Sequence, residues 1–307
     1  MTYQDPLAYL LGLEGTALLR AFTGEYGREF TDARIREIRR LLDEETLADA
    51  AVDVAPVNTV DGYAIWSRTY DGPNSAFDID EPVVSEILDR LPAGIALDAA
   101  CGTGRMSALL SERGHRTVGV DSSPDMLARA RERVPGAGFH LGDLRRLPVA
   151  GGVVDLVVCS LALTHVRELA PVMAEFARVL RPGGHLVTSD IHPERVARGS
   201  IPSVRTADGK PGRLETHRHL VGDYLRAALA AGLRVRRCEE PGGSGSAERA
   251  APQASPPGPA LEPGPTLEPG PWEDWPWTLM DLLPDATAAA DAGVPTEIIW
   301  HFQLGGP

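Results

Sequence analysis

An acidic residue closing an apolar run, followed at once by two glycines two positions apart, is the first place where residue types and spacing could do chemistry. The segment is Leu97-Asp-Ala-Ala-Cys-Gly-Thr-Gly104. Gly102 and Gly104 lack a Cβ, so the backbone can turn sharply there and lie against a ligand. A second apolar run ends in Asp121, within Val118-Gly-Val-Asp-Ser-Ser-Pro-Asp-Met126. A carboxylate in that place can accept hydrogen bonds from both hydroxyls of a ribose. A third run, Leu141-Gly-Asp143, ends in another acid. Each aspartate alone is explained by capping the next helix. Three in succession beside a Gly-x-Gly turn call for a ligand. The dinucleotide fingerprint would place a third glycine at 107, where Ser107 stands.

These residues need a scaffold, and the hydrophobic pattern supplies one. Strand candidates are Ile95–Ala100, Thr117–Asp121, Gly138–Gly142, Val153–Leu161 and His185–Ile191. Between them Gly104–Arg113, Pro124–Val134 and Glu168–Leu180 carry helical spacing, and Leu180-Arg-Pro-Gly-Gly184 ends the last with breakers. Strand and helix alternating in this rhythm mean βαβ units and a parallel sheet. The nearly continuous apolar strands fit a sheet covered on both faces. Residues 1–62 read as a helical N-terminal cap, whose arginines Arg34, Arg36, Arg39 and Arg40 lie among acids as a solvated face. Fifteen of the 31 residues of Pro241–Pro271 are Pro or Gly. That stretch reads as a flexible insertion between a strand at Leu233–Glu239 and a last strand at Glu297–Gln303. The expected divisions are thus 1–62, 63–240, 241–271, and 272–307 as a helix and strand completing the sheet.

The motifs at 97–104, 118–126, 141–143, Val153-Val-Asp-Leu-Val-Val-Cys-Ser-Leu-Ala-Leu-Thr-His-Val166 and Val179-Leu-Arg-Pro-Gly-Gly-His-Leu-Val187 resemble those of class I S-adenosylmethionine (AdoMet)-dependent methyltransferases, in the small-molecule branch that includes quinone and natural-product biosynthesis. The likeness covers about residues 60–195. It implies an α/β, Rossmann-like fold: a seven-stranded, mostly parallel sheet whose last strand is antiparallel. It implies AdoMet as cofactor, with Asp98 and the turn Ala99, Ala100, Cys101, Gly102, Thr103 and Gly104 holding the methionine moiety. Asp121, with Ser122 beside it, would take the ribose, and Met126 would pack on adenine. Gly142, Asp143 and the Leu144 amide would meet the adenine edge, and Ser160 and Leu161 would sit beneath the sulfonium. Tyr70 would cover the cofactor, and Arg68 would meet its carboxylate.

Methyl transfer from a sulfonium is an in-line displacement in which positioning does much of the work. A hydroxyl or carbon acceptor also has to lose a proton, and histidine is the commonest base. Two histidines follow strands at the sheet's carboxyl edge. His192, in Ser189-Asp-Ile-His-Pro193, is the first candidate, with Asp190 as orienter, and His165 is the second. The resemblance implies a substrate-lid insertion at about 192–222, within 63–240; His217 and His219 belong to it, and their His-x-His spacing stands without further ligands for a metal. Residues 192–222 hold six Lys or Arg against three Asp or Glu, a surplus pointing to an anionic acceptor.

The formal charge of −13 argues against nucleic-acid partners, whose phosphates need clustered cations. The segment after the fourth strand, Ser160-Leu-Ala-Leu163, lacks the Asn/Asp-Pro-Pro-aromatic motif of enzymes that methylate amino groups on adenine or glutamine amides. No uninterrupted apolar run is long enough to span a bilayer. Three scattered cysteines, Cys101, Cys159 and Cys238, suit neither a disulfide framework nor zinc, so a reducing cytoplasm is the expected home. The acceptor is expected to be a small molecule methylated on O or C; the sequence leaves the oligomeric state open. Two rivals stay open: a non-catalytic AdoMet binder and, with Ser107 against it, a nicotinamide-dependent oxidoreductase.

Overall fold

The computed structural model describes residues 1–67, 70–72, 75–206, 208–242 and 267–306. The chain forms two compact units. One spans Val57–Ile201, Leu214–Gly242 and Pro295–Pro307. The other comprises Met1–Pro56, Pro202–Arg213 and the described part of 243–294.

The larger unit is built on seven strands: β1 (Ile95–Ala99), β2 (Arg116–Asp121), β3 (Gly138–Leu141), β4 (Val154–Ser160), β5 (Leu180–Ile191), β6 (Leu233–Glu239) and β7 (Glu297–Leu304). Their order across the sheet is β6-β7-β5-β4-β1-β2-β3. Strands β1 to β5 run parallel, while β7 is antiparallel to both β5 and β6. The chain leaves β1 for β2 on one side and later returns to β4 on the other. That reversal opens a crevice at the carboxyl ends of β1 and β4, where open α/β sheets bind ligands.

Helices α1 (Thr59–Trp66), α2 (Ser75–Leu88), α3 (Arg105–Glu112), α4 (Pro124–Arg133), α5 (Leu169–Val179), α6 (Pro193–Ala197) and α7 (Val221–Ala230) accompany the sheet. On one face Val172, Met173 and Phe176 of α5 and Ala228 of α7 pack on Leu97, Val157 and Leu186. On the other, Val84 and Leu88 of α2 and Met106 and Leu110 of α3 pack on Ala96, Val158 and Ile299. All but a few per cent of each of these side chains is removed from water, worth about 1.5–3 kcal/mol for each large apolar one. Burial on both faces is why β4 reads as a nearly unbroken apolar run.

The smaller unit departs from the helical cap expected at 1–62. Helices Pro6–Phe22, Arg28–Leu42 and Glu45–Ala48 are present, yet Thr2–Gln4 and Val52–Val57 are strands pairing antiparallel. They join a sheet with Pro211–Leu214 and Ser203–Arg205, so part of the expected lid belongs to this unit. Within Val52–Val57 only Val54 is buried, between the exposed Asp53 and the half-buried Ala55. Helices Trp277–Asp281 and Pro284–Asp291 pack here too, with Trp272, Trp275, Ala286 and Ala289 around Leu10, Ala17 and Leu41. The expected 272–307 block is therefore divided: its helices join this core, and β7 completes the larger sheet. Arg34 is not on a solvated face. It is buried and donates to the buried Glu14 at 3.1 Å, and burial lifts the Glu14 carboxyl to about 7 despite that cation.

The expected flexible insertion at 241–271 falls mostly outside the described residues. Its ends are built into the structure. Leu267 is buried, and the Pro269 carbonyl accepts from Trp275 Nε1 at 2.8 Å and Thr278 Oγ1 at 2.9 Å.

Candidate active site

A cavity of about 590 Å³ opens at the carboxyl ends of β1, β2 and β4, bounded also by α1. Its floor is made by two backbone positions that L-residues rarely adopt. Ala100 after β1 has φ 60°, and Leu161 after β4 has φ 53°. Each costs on the order of 1–3 kcal/mol and persists because its surroundings demand it; the Leu161 N–H is held by the Ser189 carbonyl at 2.8 Å. Gly102, at φ +52°, has open space where a side chain would be, so its backbone faces the cavity bare.

The expected cofactor residues divide into two groups. Tyr70, Ala100, Gly102, Asp121, Ser122, Met126, Gly142, Asp143, Leu144, Ser160 and Leu161 line the cavity. Asp98, Ala99, Cys101, Thr103 and Gly104 do not, and hold the turn from behind. Asp98 accepts from Ser107 Oγ at 2.6 Å in full burial, which lifts its carboxyl to about 7. Ser107 thus uses the place of the missing third glycine to hold the strand-end acid. Thr103 donates to Asp71 at 2.7 Å, and Gly104, at φ +85°, lies against Ala130 of α4, where a Cβ would sit 3.1 Å from its Cα. Ala99 and Cys101 are buried. Arg68 lies outside the described residues.

Asp121 accepts from the Gly102 and Ser123 amides, both at 2.8 Å, while burial pushes its carboxyl up. One acid thereby ties the end of β2 to the glycine turn. Asp143 pairs with Arg145 at 2.6 Å and stays below the ordinary carboxylate range. Ser160 Oγ donates to Asp80 at 2.6 Å, and Arg105 forks onto the same carboxylate at 2.8 and 2.9 Å. Asp80 is fully buried. Sequence reading missed both partners of this clamp, which are 25 residues apart with nothing local to link them.

The two histidines exchange roles. His192 is not in the cavity lining. Its Nδ1 accepts from the Glu194 amide at 3.2 Å, capping α6, so Nε2 carries the proton and donates to Glu240 at 3.0 Å. Neither nitrogen keeps a lone pair for substrate, and the first candidate base is withdrawn. Asp190 does not orient it either; it accepts from Thr164 N–H at 2.5 Å and Tyr224 O–H at 3.2 Å. His165 lies in the cavity. Its Nδ1 is 2.8 Å from the Glu215 carbonyl, which can only accept, so Nδ1 bears the hydrogen and Nε2 is the acceptor nitrogen. Burial holds this imidazole below its usual range. Tyr63 Oη donates to Nε2 at 3.0 Å.

Asn58, Thr59, Val60 and Tyr63 also line the cavity and went unnoticed in the sequence. The available signals were Asn58, whose side chain caps α1 by accepting from the Asp61 amide, and the spacing Tyr63, Trp66, Tyr70. His217 lines the cavity and His219 bonds the Val166 carbonyl at 2.7 Å; no metal-holding group of three or more ligands occurs among the described residues.

Residues 97–188 match the family model described as a methyltransferase domain. The strand order and the single antiparallel strand agree with that match. By that match this stretch is similar to methyltransferase domains.

This domain has many relatives. A malonyl-[acyl-carrier protein] O-methyltransferase from Serratia marcescens is 37% identical over 141 residues, 46% of this chain and 53% of that one. A demethylmenaquinone methyltransferase from Beutenbergia cavernae is 35% identical over 133 residues, 39% and 55% of the two chains. The chain spans about half the length of these curated relatives. Among solved structures, an S-adenosylmethionine-dependent methyltransferase from Mesorhizobium loti aligns over 76% of this chain and 99% of that one, at 22% identity and a TM-score of 0.49. No described helix is long and apolar enough to cross a membrane.

The charge of the cavity lining suits a cationic ligand. Asp121, Asp143, Glu168 and Glu215 line it against Arg145 and Arg167. A surplus of carboxylates fits a ligand carrying a sulfonium and an ammonium, and the uncovered Gly102 backbone leaves room for it.

Proposed function

We propose that the protein is an AdoMet-dependent methyltransferase acting on a small-molecule acceptor, with His165 as the general base. The observation that carries this reading is the cavity itself. It is lined by Gly102 of the glycine turn, Asp121, Met126 and Asp143 together with His165, whose Nε2 can only accept. Bound AdoMet supplies an electrophilic methyl group. The chain's own residues do the rest: Ala100, Gly102 and Leu161 offer backbone to the donor, Asp121 meets its ribose, and Met126 and Leu144 take the adenine. His165 accepts the proton that a hydroxyl or acidic carbon must lose. O- or C-methylation is favoured over N-methylation, because a neutral amine would leave that base idle. Relatives named for a malonyl carrier and for demethylmenaquinone support quinone-type or natural-product chemistry.

The anionic acceptor suggested by residues 192–222 finds little support. Arg205 pairs with Glu273, Lys210 with Asp208 and Arg218 with Glu194. Arg195, Arg198 and Arg213 also have partners, and none of the six lines the cavity.

Asp121→Ala should weaken AdoMet binding by about 5–150-fold, the loss of hydrogen bonds to a charged group worth roughly 1–3 kcal/mol. Calorimetry with an unchanged affinity would remove the ribose assignment. AdoMet should also raise the melting temperature where NAD does not, since only a ligand of the folded state stabilises it; stabilisation by NAD in preference to AdoMet would favour the oxidoreductase. Binding without turnover on any acceptor would leave a non-catalytic AdoMet protein.

A further inference from the structure

We propose, resting on the methyltransferase reading above, that Tyr63 is a second catalytic residue, relaying the acceptor's proton to His165, and that the acceptor atom is the neutral hydroxyl of a planar phenol or enol.

Tyr63 and His165 both line the cavity, and the Tyr63 hydroxyl is on the base's acceptor nitrogen. Its hydrogen points to His165 Nε2 at 3.0 Å, and that nitrogen can only accept because Nδ1–H is committed to the Glu215 carbonyl at 2.8 Å. The direct path from substrate to imidazole is therefore taken by the phenol. A phenol oxygen that donates its one hydrogen keeps lone pairs, and among the described residues no donor is seen on them. Such an oxygen selects its partner by charge. A hydroxyl can donate to it, whereas a carboxylate would set lone pairs against lone pairs.

The surrounding wall is aromatic. Tyr63 meets Tyr70 edge-on with ring centroids 5.8 Å apart, and the His165 ring at 5.5 Å and 84°. Tyr70 and Tyr63 both line the cavity, with Val60, Val166 and Pro171. A flat aromatic wall beside the Tyr63 hydroxyl suits a planar ring carrying a reactive hydroxyl.

The step balances without another reagent. As the acceptor oxygen gains the methyl group, its O–H bond breaks and the proton passes to Tyr63 Oη. The proton of Tyr63 moves to His165 Nε2. The donor loses its sulfonium charge with the C–S electron pair, and the imidazolium carries one charge in its place until it releases the proton to water.

The test uses the full chain, with 2-naphthol, 2-naphthoic acid and 2-naphthylamine as matched probes. Wild type should methylate the naphthol in preference to the acid and amine, with a curved proton inventory in mixed light and heavy water, since two protons move. Tyr63→Phe should lower kcat on naphthol by about 10²-fold or more, straighten the inventory and keep AdoMet affinity within twofold by calorimetry. In the ligand-free protein, ¹⁵N-imidazole NMR should find His165 protonated at Nδ1. Its titration should move upward in Tyr63→Phe, because a donor to the neutral ring is lost. Preference for the acid or amine, no turnover of naphthol, full activity of Tyr63→Phe, or an unmoved His165 titration would each overturn the proposal. A wild-type protein that binds no AdoMet would instead strike the methyltransferase reading beneath it.

Discussion

At the scale of single residues, the hydrogen-bond inventory of two histidines decides which can act as a base. Position along the strands favours His192, yet both its nitrogens are spent on α6 and Glu240. His165 lines the cavity with an accepting Nε2, because a backbone carbonyl fixes its tautomer, and that nitrogen is held by the cavity-lining Tyr63 hydroxyl. His165→Ala should lower kcat by about 10²–10⁴-fold and leave AdoMet affinity nearly unchanged. Burial depresses the imidazole's protonation. The active neutral form therefore persists into mild acid, and the acid limb of the rate profile should lie below the ordinary histidine value of about 6.5. His192→Ala is the control: steady-state assays should find its rate close to wild type, with lost cap stability of about 1 kcal/mol. Full activity in His165→Ala would end the base assignment.

At the scale of elements, the site depends on how α2 and α3 are pinned to the sheet. Asp80 of α2 accepts from Arg105, Ser160 and Ser189, joining α3, β4 and β5 around one carboxylate. The Arg105 guanidinium also lies 4.3 Å above the Phe77 ring, which keeps its exposed side covered. Removing one partner strands a buried charge, which typically costs about 3–5 kcal/mol. Asp80→Ala should accordingly lose stability of that order in denaturant titrations. A loss under about 1 kcal/mol would mean that the pair relaxes into water and does not brace the elements. The same clamp sits directly behind Ser160, so AdoMet affinity should fall with stability in this variant.

At the scale of the whole molecule, folding buries acids in a chain that already carries −13. Glu297, at the start of β7, is fully buried with neither carboxyl oxygen hydrogen-bonded among the described residues, and burial lifts it to about 9. Asp98 and Asp190 are lifted to about 7 by the same cause. Between the unfolded value near 4.5 and the folded value near 9, the native state holds a proton that the unfolded chain has released. Stability then falls as pH rises, because the unfolded state binds fewer protons. The contribution of Glu297 is complete below pH 4.5 and lost as pH climbs through about 9. Glu297→Gln keeps the shape without the ionisation, so its melting temperature should decline less between pH 5 and pH 9 than that of wild type. Parallel declines in scanning calorimetry would show that Glu297 does not ionise on unfolding.

Local order along the chain determined the sheet, the turn and the donor end of the site. Strand-like runs alternating with helical spacing specify a parallel α/β sheet, and Gly102, Asp121 and Met126 sit within a few residues of the strand ends that place them. Such information is short-range, set by periodicity and backbone sterics. The base was not readable this way. His165 and His192 occupy equivalent places after β4 and β5, and only contacts with Glu215, Glu194 and Glu240 separate them. Tyr63 lies 102 residues from its partner, and Asp80 lies 80 and 109 residues from Ser160 and Ser189. The mixed origin of the smaller unit, drawn from 1–56, 202–213 and the described part of 243–294, likewise leaves no local trace. Hydrogen-bond partners distant in sequence are chosen when the elements pack, and that choice decided which side chains face the cavity and which of their lone pairs remain to do chemistry.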